Sequence, residues 1–335
     1  MIKKAITAIL FIALLYSCTK NNKFDINTSD IDVEIEVKRL DIDLFNTDLD
    51  SMESHISYLT KTYSDFLELY NIKIVNIGSS ESEAYKKHLL GFITDYTINN
   101  IHNKTLEKIP EVDLLNRKLT KSFKRYKYYF PDKIIPAVYS YTGGFNQSVV
   151  IDDSIIGIGT DKYLGADCEY YNRLKIPKYQ RKNMHYNKIP SDCVKAWITT
   201  EFVFNDSIDN LINNIIYNGK VHYLLDALMP EEPDSLKFGF TNNELLWCKT
   251  NEKQMWNYLI ENKLLFSTDY MLINKFINPA PFTTGFPRKS PGKAIVWLGR
   301  EIIYSYMREN PDISIYELMK EDNYQKILTE SRYQP

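Results

Sequence analysis

The chain has 335 residues, with 41 lysines and arginines against 43 aspartates and glutamates, so its formal net charge is −2. Because non-specific binding to nucleic acid depends on bulk positive charge, this balance argues against a nucleic-acid partner. A hydrophobic fraction of 44% excludes an intrinsically disordered chain and is sufficient for a sizeable core.

The first residues have the layout of a lipoprotein signal peptide. Two lysines form a positive start, and residues 5–16 form an apolar run that is too short to span a bilayer. The run ends at Ser17 and Cys18, and a leucine stands three positions before the cysteine. We predict that residues 1–17 are a cleaved signal peptide and that Cys18 is lipidated. The alternative is cleavage elsewhere, with Cys18 an ordinary thiol.

Acylation of Cys18, with palmitate among the attached chains, would anchor the mature chain to a membrane, because two or more acyl chains give stable binding. Residues 18–32 are polar and have no helical or strand period, which predicts a tether. Residues 33–335 contain no internal repeat or low-complexity linker. We therefore predict a single α+β domain, mainly helical with a small central antiparallel or mixed sheet.

The first predicted elements of this domain are one strand and three helices. Residues 33–38 alternate apolar and polar side chains, as in a half-buried strand. Residues 49–70 repeat apolar side chains at steps of three and four, which predicts a helix. The Ser-Glu-Ser-Glu sequence at 80–83 predicts a capping box that opens a second helix, whose apolar repeat runs from Tyr85 to Tyr96. A third helix is predicted over 112–130.

The centre of the chain is rich in β-branched and aromatic residues. Three segments of this kind are separated by turn sequences and are predicted to be adjacent antiparallel strands, at 134–141, 147–151 and 154–159. From residue 190 the pattern is helical, with predicted breaks at Gly219, at 230–234 and at 279–291.

The sequence lacks the common catalytic motifs, including phosphate loops, a serine-hydrolase elbow and a His-x-x-x-His pair. It predicts no metal and no cofactor. Besides Cys18 there are three cysteines, Cys168, Cys193 and Cys248, whose spacings of 25 and 55 residues match no metal-binding pattern. They are expected to be buried thiols, and whether two of them form a disulfide stays open.

The segment 278–300 is predicted to be a long ordered loop that leads into a helix, because it contains four prolines together with aromatic residues. Aromatic side chains beside cations suit a protein interface with a polar rim. The candidate partner surface consists of Phe282, Phe286, Arg288, Lys289 and Lys293. The alternative is that the loop only packs over the core end of the last helices.

Several short segments, read in order, carry a family resemblance. They are Lys-Tyr-Tyr-Phe-Pro at 127–131, Gly-Ile-Gly at 157–159, Tyr-Leu-Gly-Ala-Asp at 163–167, Leu-Trp-Cys-Lys-Thr-Asn-Glu at 246–252, Pro-Ala-Pro-Phe at 279–282 and Ser-Arg-Tyr-Gln-Pro at 331–335. Their order and spacing resemble the GldB family of gliding motility lipoproteins of Bacteroidetes.

This family is distantly similar to predicted zinc peptidases, and the resemblance therefore implies a degenerate zincin-like fold. In such peptidases an HExxH helix and a later glutamate bind zinc. Here the corresponding helix, 191–204, has no histidine, and Asn218 stands at the position of the glutamate. Because zinc needs three or four ligands, the resemblance implies a protein that is not an enzyme.

The resemblance further implies a membrane-anchored envelope lipoprotein that is required for gliding motility and for the associated secretion. It would act as a scaffold or interaction protein, with partners in that machinery. Residues 19–23 contain no acidic cluster of the kind that resembles a surface-export signal, which favours a periplasm-facing location. Two alternatives stay open: an envelope hydrolase or peptidase with a site around Glu201, His185 and His222, or a module that binds cell-wall glycans through exposed tyrosines.

Overall fold

A four-stranded mixed sheet lies at the centre of the protein in the computed structural model, which describes residues 24–47 and 49–335. The predicted signal peptide, Cys18 and the first part of the predicted tether lie outside these residues. The strands are β1 Val37–Arg39, β2 Ala137–Tyr141, β3 Val149–Asp152 and β4 Ile155–Gly159.

The strand order is β1-β2-β4-β3, with β2 parallel to both β1 and β4 and with β3 antiparallel to β4. The predicted antiparallel pairing of the first and second segments is therefore wrong, because β2 pairs with β4 and not with β3. A tight turn at Asp153 joins β3 and β4 into a hairpin. The longer connection 142–148 carries the chain past the position of β4 to the outer edge of the sheet.

Helices cover both faces of this sheet. In chain order they are α1 Leu40–Asp43, α2 Met52–Leu69, α3 Tyr85–Ile93, α4 Tyr96–Lys108, α5 Asp113–Tyr129, α6 Glu169–Arg173, α7 Lys178–Arg181, α8 Ile189–Glu201, α9 Leu211–Leu228, α10 Asp234–Phe238, α11 Asn242–Thr250, α12 Glu252–Glu261, α13 Tyr270–Ile277, α14 Ala294–Glu309, α15 Ile315–Lys320 and α16 Tyr324–Ser331. The predicted class, α+β and mainly helical with a small mixed sheet, is confirmed. The zincin-like label stays a prediction.

The alternation of β-strand side chains divides the apolar residues into two main clusters. Val138 and Ile156 point into the larger cluster, which they share with α5, α8, α9 and α14. Tyr139 and Tyr141 point to the opposite face and pack with residues of α2 and α3. Gly157 also lies on that face, where a Cβ atom would approach the Phe66 ring to 2.9 Å.

The alternation predicted over 33–38 is present in the burial pattern, since Ile35 and Val37 are buried and the charged residues on either side of them are exposed. Strand β1 nevertheless begins later than the predicted strand, because it pairs with β2 only from Val37. The amide of Ile35 donates to Thr120 Oγ1 at 2.9 Å, and that of Val37 donates to Asn116 Oδ1 at 3.1 Å. Helix α5 thus takes up hydrogen bonds that a neighbouring strand would otherwise accept.

The second predicted helix is wrong at both ends. Helix α3 begins at Tyr85 without a side-chain cap, and the Ser80 amide donates instead to Glu68 Oε1 at 2.9 Å. The apolar repeat toward Tyr96 belongs to two helices, because the Asp95 carboxylate accepts a hydrogen bond from the Ile98 amide and caps a new one.

The predicted break at Gly219 is also wrong, because α9 continues from Leu211 to Leu228 and is buried on nearly every side. Gly219 lies against α14, where a Cβ atom would come within 2.2 Å of the Gly299 carbonyl oxygen. A Cβ atom on Gly299 would in turn lie 2.1 Å from the carbonyl oxygen of Ile215. The two glycines therefore permit a backbone-to-backbone helix crossing that any side chain would prevent.

The structure contains no helix, within the described residues, that combines the length and the apolar character needed to cross a bilayer.

We expect Gly219→Ala to lower the free energy of unfolding by about 3 kcal/mol, since the added methyl group must push two backbones apart. Gly91→Ala is the matched control, because Gly91 lies in α3 and a methyl group added there would have no atom within 4 Å. That variant should be more stable by about 0.5–1 kcal/mol. Urea unfolding of the mature chain measures both, and equal effects would contradict the proposed constraint.

Candidate functional site

The loop between α13 and α14 carries the five residues of the candidate partner surface. Arg288 and Lys289 are exposed, and Phe282 is half-buried. The ring of Phe286 packs inward, with its centroid 5.2 Å from the Tyr258 ring and 6.0 Å from the Trp247 ring. The exposed part of this surface stays a prediction, while Phe286 holds the loop onto the core.

The loop is also held from within by Thr283, which is fully buried. Its hydroxyl donates to the Pro291 carbonyl at 2.7 Å and accepts from the Ala294 amide at 2.8 Å. The amide of Thr283 donates to Ser290 Oγ at 3.2 Å. Thr283 therefore closes the loop and satisfies an amide in the first turn of α14.

The three residues of the alternative hydrolase site contact different parts of the protein. Glu201, at the end of α8, pairs with Lys133 at 2.8 Å and accepts from Tyr126 at 3.1 Å. His222 lies in the middle of α9, and His185 precedes α8. Since α8 has 13 residues and is about 20 Å long, Glu201 and His185 lie at opposite ends of it.

The start of α8 presents a row of charged residues on one face. Lys188, Asp192 and Lys195 are spaced by four and three positions, which aligns them along the helix. The ammonium group of Lys188 donates to Ser191 Oγ at 3.0 Å and forms an ion pair with Asp192. Asp192 also accepts a hydrogen bond from Tyr163, at 3.1 Å. Both oxygens of the Asp192 carboxylate therefore have partners, and neither partner is Lys195.

Lys195 contacts an imidazole instead of a carboxylate. Its Nζ atom lies 3.2 Å from Nε2 of His222, which is only 1% exposed. The other ring nitrogen of His222, Nδ1, has no hydrogen-bond partner among the described residues. The imidazole ring stacks on Phe238, with a centroid distance of 4.1 Å.

A third lysine reaches this place from α14. Lys293 is the N-cap residue of α14, and its Nζ atom lies 6.0 Å from the centroid of the Phe240 ring. Phe240 stacks in turn on Phe238, with a centroid distance of 5.4 Å. The two stacked rings therefore lie between Lys293 and His222. We call the group of Lys188, Lys195, Lys293 and His222 the basic recess.

Burial and mutual repulsion act on the titratable groups of the basic recess. Burial lowers the pKa of Lys195 well below its usual range, and the charges of Lys293 and Lys188 lower it further. Burial lowers the pKa of Lys293 to about 8, again with a contribution from Lys188. For His222 burial is the first cause of a much lowered pKa, followed by the charge of Lys195. Asp192 is the carboxylate that opposes this effect at both Lys195 and Lys293.

In a neighbouring network the buried cations are paired with carboxylates, unlike Lys195 and Lys293. Lys237 and Asp226, each with a side chain 5% exposed, form an ion pair. Arg300 pairs with Asp234 at 2.8 Å and lies over the Phe238 ring at 4.8 Å. In the described part of the chain no carboxylate lies within ion-pair distance of Lys195 or Lys293, and both lysines are half-buried, so part of each side chain stays accessible.

The three described cysteines are free thiols. Cys193 and Cys248 are buried, as expected, and burial raises the pKa of Cys248 to about 12. Cys168 is half-buried. Across residues 24–47 and 49–335 no group of three histidine, cysteine or acidic side chains is close enough to hold a metal ion.

The sequence patterns singled out Lys293 and His222 but not Lys188 and Lys195. A signal for them is present: the Ile-Pro sequence after Lys188 marks a helix start, where a lysine opposes the helix dipole.

The sequence profile of the family described as gliding motility protein GldB matches residues 21–335, which is nearly the whole chain. No curated protein and no solved structure gives a significant match to the chain.

Removal of the unpaired, half-buried Lys195 and of the paired, buried Lys237 should have different effects on stability. We expect Lys195→Met to change the free energy of unfolding by less than about 1 kcal/mol or to raise it, because no carboxylate loses its partner. Lys237→Met should lower it by about 3–5 kcal/mol, because Asp226 stays buried without this partner. Urea unfolding distinguishes the two cases, and equal losses would show that Lys195 has a structural counter-ion.

Proposed function

Because the chain belongs to the family of the gliding motility protein GldB, we propose that it is a membrane-anchored lipoprotein of the cell envelope, required for gliding motility and the associated secretion. In this proposal it faces the periplasm, and residues 33–335 work as one α+β domain that binds partners and catalyses no reaction. The family match over residues 21–335 is the observation that carries the proposal.

The way the chain enters the domain supports attachment close to a membrane. The Phe24 side chain is 6% exposed and its ring packs edge-on against Tyr223, at 5.3 Å. Arg125 of α5 donates a hydrogen bond to the Phe24 carbonyl. Since Cys18 precedes Phe24 by six residues, a lipid on Cys18 would hold the domain within about 20 Å of its anchor.

The chemistry of α8 supports binding rather than hydrolysis. A peptidase of the predicted zinc type needs imidazole and carboxylate ligands on this helix, and here the side chain that meets His222 is the amine of Lys195. The nearby carboxylate, Asp192, is held by Lys188 and Tyr163. Glu201 is engaged by Lys133 and Tyr126 at the far end of the helix.

The exposed part of the α13–α14 loop is the proposed contact with partners in the motility and secretion machinery. Arg288 and Lys289 would form a charged rim beside the half-buried Phe282. Phe286 and Lys293 would serve this surface from beneath, since the first packs on the core and the second turns toward the basic recess.

The anchor is tested by Cys18→Ala in the native host. We expect the variant to leave the membrane fraction, because removal of the acyl chains removes the hydrophobic attachment. Fractionation with immunodetection measures this, and mass spectrometry of the wild-type protein should find an acylated Cys18 at its N-terminus. An unmodified Cys18 in membrane-bound protein would contradict the proposal.

The partner surface is tested by the double charge reversal Arg288→Glu with Lys289→Glu. We expect loss of motility and of specific crosslinks in the envelope, at unchanged abundance and membrane attachment. Lys61→Glu with Lys73→Glu is the matched control, because it makes the same change in charge at exposed positions on and after α2. Normal motility and crosslinks in the first variant would exclude the loop as the interface.

A further inference from the structure

The basic recess contains two half-buried lysines that have no counter-ion in the described chain. An ammonium group taken out of water without a counter-ion costs several kcal/mol, and buried cations are therefore normally paired. Lys237 and Arg300 follow this rule. Lys195 and Lys293 are half-buried and have no such partner, since the described chain supplies them with an imidazole contact and an aromatic ring only. The accessible part of each side chain leaves room for contact with a ligand.

Two helix termini add to the positive potential at this place. Lys188 is the N-cap residue of α8, and Lys293 is the N-cap residue of α14, helices of 13 and 16 residues. The N-terminus of a helix carries a partial positive charge and favours anions, so a lysine at the cap is electrostatically unfavourable. Asp192 compensates Lys188 in the first turn of α8. The first turn of α14 contains no acidic residue, so Lys293 and this helix end would be compensated by a bound negative group.

The backbone at Lys293 has an unfavourable conformation. Its φ angle is +57°, in the left-handed region that non-glycine residues seldom adopt. A glycine or asparagine would accept this conformation more easily, yet the position carries a long cationic side chain. Backbone strain of this kind persists only where the surrounding structure holds the residue in place, so the position of Lys293 is fixed by its packing.

His222 fixes the position of the Lys195 amine. It is 1% exposed and its Nδ1 atom has no hydrogen-bond partner within the described residues. Its Nε2 atom faces Lys195, and the stack on Phe238 fixes the plane of the ring. His222 is thus suited to position the Lys195 amine, and it has little freedom to do anything else.

The charges determine the class of ligand. When all three lysines are protonated, a state that a bound anion favours, they and Asp192 carry a net charge of +2, which a phosphate group of charge about −1.5 to −2 would balance. Ammonium groups bind phosphate as point charges, and a phosphate monoester carries about twice the charge of a carboxylate. Arg300, whose guanidinium lies over the Phe238 ring, is already paired with Asp234.

We propose that the basic recess binds the phosphate group of a ligand, with Lys195 and Lys293 in contact with the phosphate oxygens, Lys188 supporting them through Asp192, and His222 positioning Lys195. The proposal is independent of the lipid anchor and of the partner surface. The phosphate can belong to a free monoester or to a lipid headgroup, and both present the same oxygens to the two amines.

The test uses the mature chain with Cys18→Ala and three soluble probes: inorganic phosphate, sn-glycerol 3-phosphate and acetate. Calorimetry should detect binding of both phosphates, and Lys195→Met and Lys293→Met should each weaken it at least tenfold. Lys249→Met, at an exposed position of α11, should leave the affinity within twofold of wild type. Binding that both recess variants retain would overturn the proposal, as would the absence of phosphate binding by the wild-type chain.

A second measurement covers the case in which a variant is unfolded. NMR spectra of ¹³C-lysine-labelled wild-type chain should show the Lys195 and Lys293 signals shifting on phosphate addition, with the pKa of both amines raised toward the ordinary lysine value. Unmoved signals would overturn the proposal. Acetate binding as tightly as phosphate would also overturn it, in favour of a carboxylate site. Co-sedimentation with vesicles containing phosphatidic acid, compared with the soluble probes, distinguishes a headgroup from a free monoester.

Discussion

The close crossing of α9 and α14 at Gly219 and Gly299 is the contact on which the rest of the structure depends. His222 follows Gly219 by three residues, so it lies one turn along the same face of α9. Arg300 follows Gly299 directly. Lys293 precedes Gly299 by six residues, which is about 9 Å along the helix axis. One backbone contact therefore sets both the paired network around Arg300 and the unpaired basic recess. A change in the crossing distance would move the two together.

Local periodicity predicted much of the fold, and non-local contacts explain the errors. The helix predicted over 112–130 is α5, Asp113–Tyr129, because its apolar stripe is long and regular. The strand order was not predictable from neighbouring residues, since β2 pairs with β4, and β3 lies between them in the sequence. The local sequence does not show whether Gly219 breaks a helix or permits a close helix crossing, because a residue without a side chain suits both.

The candidate site was predicted only in part for a similar reason. Lys188 and Lys195 occupy polar positions of an amphipathic pattern, where a lysine normally faces water. The structure encloses them because α14 begins at the same place, and that is a long-range property of the chain. The loop before α14 joins this interior to the surface: Arg288 and Lys289 are exposed, and a few residues later Lys293 turns inward. A ligand at the basic recess and a partner on the loop would therefore act on one segment.

The hydrogen bonds between α5 and the first described residues have a mechanical consequence. Arg125 holds the Phe24 carbonyl, Thr120 holds the amide of Ile35, and Asn116 holds the amide of Val37. Tension applied through the N-terminus would load these attachments in sequence along one helix before it reached the short ladder between β1 and β2. Because α5 also packs in the larger apolar cluster, the pull would be spread over the interior as shear. A pull on the N-terminus would thus reach β1, the shortest described strand, only after these three attachments.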